Sequence, residues 1–173
     1  MRPTYALAVT QRLEEASALD GAVRGLEPYV HTLFGSGRHG ALLRGDWLGH
    51  PLHPMLTDVV LGTWWSATFL DVVGRGRWSA PAQAVVTAGF VAFGPTAWAG
   101  WAQWDQAGAQ EKRVGVVHAV TMASAFGAYV GSWFARRAGR HETAARRALI
   151  GAGITVVGGY LGGHLAAARR ERA

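Results

Sequence analysis

The sequence predicts an all-α protein, an integral membrane four-helix bundle with a preceding amphipathic interfacial helix, and three observations lead there. The stretches between Arg77 and Asp105, between Arg113 and Arg136 and between Arg147 and Arg169 contain no Asp, Glu, Lys or Arg. Each exceeds the roughly 20 apolar residues that cross a bilayer. A fourth apolar run follows the motif GHPLHPMLTD, Gly49 to Asp58. Ahead of it, from about Gln11 to Phe34, the apolar residues Leu13, Ala16, Leu19, Val23, Leu26, Val30 and Leu33 recur at steps of three and four between charged ones, the pattern of an amphipathic helix. Such a helix lies in the membrane interface or packs on the mouth of the bundle.

At 173 residues, half of them apolar, with 24 glycines and 8 tryptophans, the chain suits one compact unit unlike an ordinary soluble domain. It divides into an interfacial segment, residues 1–46, and a membrane domain, residues 47–173. The net charge of +6 comes from arginines clustered at the ends of the apolar runs, where lipid phosphates lie. The expected partner is therefore the lipid bilayer and not nucleic acid. Zero cysteines exclude a disulfide framework, a cysteine-ligated iron–sulfur cluster and c-type haem attachment within this chain. The N-terminus MRPTYALAVTQRLEEA lacks the apolar core of a signal peptide, so the first crossing is expected to do the targeting.

The first span is predicted at about 54–73. Trp47 marks the interface before it, and Pro54 is expected to open the helix with His53 at its N-cap and His50 just outside. Asp58, inside the near end, is costly in a membrane without a partner. It can accept the spare N–H of a metal-bound histidine, or simply favour the positive end of its own helix. Asp71 lies near the far end, within reach of water. The second span, about 80–101, contains Pro95 as a kink site, and Trp98, Trp101 and Trp104 step by three along its end as an aromatic belt. The third, about 114–135, carries His118. The fourth, about 148–168, carries His164 and the small-residue pairs Gly158/Gly162 and Gly159/Gly163, which permit close approach; Gly127/Gly131 repeats them in the third. His31, His39 and His141 read as solvated.

Four spans put both termini on one face, where the starts of spans one and three and the end of span four meet. His50, His53, His118 and His164 converge there, with His118 and His164 at matched depth. A weak echo relates spans one and three, since His53, Gly62 and Gly74-Arg75 recur at the spacing of His118, Gly127 and Gly139-Arg140. Three chemistries remain open. Two imidazoles on facing helices can be the axial ligands of haem b, which favours electron transfer. Three or four histidines can instead bind zinc, copper or iron directly, with Asp58 as orienter or base, which favours a membrane enzyme. The third is a cofactor-free packing cluster in a membrane anchor for a redox partner.

The motifs GDWLGHPLHPMLTDVVLGTWWSATFLD, RVGVVHAV and GGYLGGHLA resemble those of a bacterial multipass membrane family, domain-of-unknown-function family 2231, over roughly Leu19 to Ala168. The resemblance carries the family's histidine positions onto His50, His53, His118 and His164. One departure is Val60-Leu61, where relatives more often have Pro-Ile. Some relatives are fused to a Rieske-type iron–sulfur domain, which implies redox company; without cysteines, this chain would need that partner as a separate protein. Bacterial inner-membrane localisation follows from the same likeness. The terminal face carries ten Lys and Arg, Arg2 and Arg172 among them, against seven opposite, a bias that nearly vanishes within reach of the helix ends. With no signal peptide ahead of the first helix, the termini are expected in the cytoplasm.

Overall fold

In the computed structural model, which describes residues 5–170, the chain is all-α, with no strand among the described residues. Arg2 and Arg172, counted above on the terminal face, lie outside them. Four long helices form the body: α4 (Leu52–Gly74), α5 (Ser79–Asp105), α6 (Ala109–Arg137) and α7 (His141–Arg170), after three short ones, α1 (Tyr5–Glu15), α2 (Asp20–Val30) and α3 (Gly37–Arg44). Turns too short for a crossover join the long helices, so each runs antiparallel to the next.

Each of the four predicted spans falls inside one long helix, and the helices overrun them mostly into charged ends. α6 starts earlier because the Gly108 N–H donates to Glu111 Oε2 at 2.8 Å, which ties down an orphan donor at the helix start. α4 starts at Leu52 with Pro51 as its N-cap residue, so His53 sits inside the first turn and not at the cap.

Two helices, α6 and α7, are long and apolar enough to cross a membrane, and only 28% and 33% of their apolar stretches are buried by the rest of the protein. The other two are long enough, but tryptophan, glycine and, in α4, two aspartates dilute their apolar character. All four turn large apolar side chains outward, among them Met55, Phe69, Val91, Val120, Phe134 and Val157.

The body is built from two similar hairpins. Buried residues of α4 recur 65 positions later in α6: Val60 with Ala125, Trp64 with Tyr129, Ala67 with Ser132 and Asp71 with Arg136. Those of α5 recur in α7, as Ala82 with Ala144, Val86 with Ala148, Gly89 with Gly151, Thr96 with Gly158 and Ala99 with Leu161. α4 packs against α5 and α7, and α6 against the same two. α4 and α6 are thus diagonal, meeting only through long side chains along the bundle axis. At mid-level Trp64 stacks on Tyr129 with ring centroids 4.6 Å apart, and Phe93 and Phe126 extend the stack. Each ring needs a glycine behind it. A Cβ on Gly89 would collide with the Trp64 indole, and one on Gly151 would stand 2.7 Å from Tyr129.

The predicted single N-terminal helix is two, broken at Ala16, followed by a π-helical turn at His31–Gly35. The break lets Arg113 at the start of α6 hold both sides of it, bonding the Glu14 carbonyl and Asp20 Oδ1 at 2.6 Å each. α2 docks Val23 and Val30 on Trp104 and Val116. Trp104 is therefore a core residue beneath this cap and not part of an aromatic belt; its Nε1–H donates to the Lys112 carbonyl at 2.9 Å. In the GSGRHG link Gly35 ends the π-helical turn, Ser36 is extended and the rest opens α3, leaving His39 exposed.

Candidate functional site

His53 and His118 meet on the axis at the end of the bundle nearer the termini, with ring centroids 6.3 Å apart and planes at 85°. Each ring is held in the same way. His53 Nδ1 lies 2.8 Å from the Thr96 carbonyl, and His118 Nδ1 lies 2.9 Å from the Gly158 carbonyl. A carbonyl only accepts, so Nδ1 carries the hydrogen and the neutral ring keeps its lone pair on Nε2.

A helical carbonyl is normally screened by the side chain one turn on, and here that residue is glycine both times. A Cβ on Gly100 would stand 2.9 Å from the His53 ring, and one on Gly162 would stand 3.2 Å from His118. Gly158 and Gly162 thus form a histidine seat, while Gly159 and Gly163 face open space.

The expected ring of four histidines is not assembled. His164 lies two residues beyond Gly162, about 200° around the helix, and pairs instead with Glu14 Oε1 at 2.7 Å. His50 is exposed in the link before α4, where it lines a cavity of about 380 Å³. Asp58, five residues from His53 and so about 140° around α4, is exposed beside Val59 and bonds neither histidine. The Nδ1–H groups of both histidines are held by the two carbonyls instead. Among the described residues no three His, Asp or Glu side chains come together to hold a metal ion.

Among the other histidines, His31 is exposed and 3.2 Å from both Asp105 carboxylate oxygens, and His141 opens α7 with Nδ1 3.0 Å from Ser79 Oγ.

At the other end of the axis is a pair the spacing of motifs did not single out. Asp71, expected to reach water, is only 8% exposed and forms a two-pronged ion pair with Arg136, 5% exposed. Ser132 Oγ accepts a further bond from Arg136 at 3.1 Å. Nearby, Thr68 Oγ1 and the Tyr129 hydroxyl are 2.9 Å apart. Eighteen residues of helix separate His53 from Asp71, a rise of about 27 Å, close to the thickness of a bilayer's hydrocarbon core. The signal available in the sequence was the 65-residue echo, which pairs Asp71 with Arg136.

The profile of a family described as "Predicted membrane protein (DUF2231)" matches residues 49–170, from the link before α4 to the end of α7. No curated protein and no solved structure matches the chain.

Proposed function

The chain belongs to this family of predicted membrane proteins, DUF2231, and we propose that it is a four-span inner-membrane protein in which His53 and His118 would hold a b-type haem that passes electrons to a separate redox protein. What carries this reading is the pair of rings with both Nδ1–H groups tied to carbonyls. Metal-ligating histidines almost always have their second nitrogen fixed this way, which sets the tautomer and raises ligand basicity.

The residues fit the group in two respects. The two rings stand 6.3 Å apart between centroids, and each keeps an Nε2 lone pair for a metal. Haem also needs only two protein donors, since the macrocycle brings four; zinc, copper or iron bound directly would ask the protein for three or four, and among the described residues no third His, Asp or Glu joins the pair. The direct-metal enzyme is therefore the weaker reading. Bound there, haem supplies a reversible one-electron change at its iron. The chain's own residues orient the two imidazoles through Thr96 and Gly158, and the aromatic stack below them excludes water.

The outward apolar faces of all four helices favour four crossings over two, even though only α6 and α7 qualify by length and composition. The termini, and with them the histidine pair, are assigned to the cytoplasmic side, and the electron partner to a Rieske-type or other redox protein. Titrating haem into the detergent-purified chain tests the ligand assignment. One haem per chain with a low-spin, six-coordinate spectrum is expected. No binding, or stoichiometric zinc or copper in its stead, would overturn it.

A further inference from the structure

We propose that the cavity between the link to α4 and the ends of α5 and α7 binds the phosphate of an anionic lipid head group. This cavity of about 380 Å³ is lined by Arg44, Asp46, His50, Gln103, Gln106 and Arg169. Its charges do not balance. Arg44 is committed to Asp46 at 3.0 Å and to the Gly35 carbonyl at 2.9 Å, so these two cancel. Arg169 makes one long bond, 3.3 Å to the Gln103 carbonyl, and has no acid within ion-pairing reach among the described residues.

Gln103 beside it is 9% exposed, and its Nε2 amide is enclosed in the cavity wall without a hydrogen-bond partner. The donor that lines the cavity without a counter-charge is the Arg169 guanidinium, which asks for an oxyanion.

The surroundings favour a lipid over free phosphate. Trp47 is 65% exposed and packs back on the link through its Nε1–H bond to the Leu42 carbonyl; Leu42 and Leu48 are exposed beside it. An exposed tryptophan flanked by leucines suits the level where head groups give way to acyl chains, and basic pockets at that level bind anionic head groups.

Native mass spectrometry of the detergent-purified chain with phosphatidylglycerol, phosphatidylcholine or inorganic phosphate tests the assignment. Preferential retention of phosphatidylglycerol is expected, weakened about fivefold by Arg169→Gln and unchanged by Arg77→Gln on the opposite face. Arg169 is at an exposed helix end, so its variant does not depend on refolding the core. Equal retention of the two lipids, or no effect of Arg169→Gln, would overturn the proposal. Displacement of the lipid by inorganic phosphate alone would overturn the assignment of a lipid in favour of a free anion.

Discussion

Asp71 and Arg136, 65 residues apart, close one end of the bundle axis as a buried two-pronged ion pair, and the same separation relates His53 to His118 at the other end and Trp64 to Tyr129 between them. The axis is therefore made of matched positions from two similar hairpins, each filled by side chains large enough to meet across a diagonal.

Removing one partner of the ion pair leaves a charge buried without compensation. Asp71→Asn or Arg136→Met alone is expected to cost about 3–5 kcal/mol, read as a lowered thermal midpoint in detergent. Asp71→Leu combined with Arg136→Met should recover most of that loss, because no lone charge remains. A double variant as unstable as the singles would mean the pair is not isolated from other groups.

Glycines along the axis divide by what lies behind them. Gly151→Ala must push on the Tyr129 ring and Gly89→Ala on Trp64, and each is expected to cost about 1–3 kcal/mol by overpacking. Gly62 and Gly127 face open space, so alanine there should be neutral or raise stability by up to about 1 kcal/mol. Equal effects in the two sets, measured by thermal unfolding, would contradict the axial arrangement.

Gly100→Ala is expected to displace the His53 ring, since the new Cβ would stand 2.9 Å from it. Faster haem loss, with a normal thermal midpoint before haem is added, would separate this effect from general destabilisation. Unchanged haem release would detach the glycine seat from ligand positioning.

Acid should loosen the N-terminal cap. The hydrogen bond from Arg113 holds the Asp20 carboxyl below its ordinary value of 3.8. Because the folded value is the lower one, the contribution is fully present above 3.8 and is lost as pH falls through the folded value beneath it. Amide protection factors in α2, which allow for the slower intrinsic exchange in acid, are expected to fall in that window, and Asp20→Asn should lower them already at neutral pH. Exchange in α2 that ignores both changes would contradict this role for the pair.

The four long helices were legible because charge-free runs of that length leave few alternatives, and His53 and His118 because each stands near the charged end of such a run. Azimuth was not legible. His164 shares the right depth, but two residues beyond Gly162 it turns away from the axis, and Asp58, five residues from His53, is both deeper and turned away. Asp71 was misread because depth alone suggested water, whereas its partner comes from a helix 65 residues later. Trp104 followed the period of a belt, and only the docking of α2 over it reveals a core position.

The proposed haem site requires His53 and His118 to act as an equivalent pair. The decisive measurement is the reduced-minus-oxidised visible spectrum of the purified chain and of His53→Ala, His118→Ala and His164→Ala. A low-spin haem spectrum lost in the first two variants and kept in the third is the predicted result. A spectrum that survives His53→Ala or His118→Ala, or that needs His164, would contradict it.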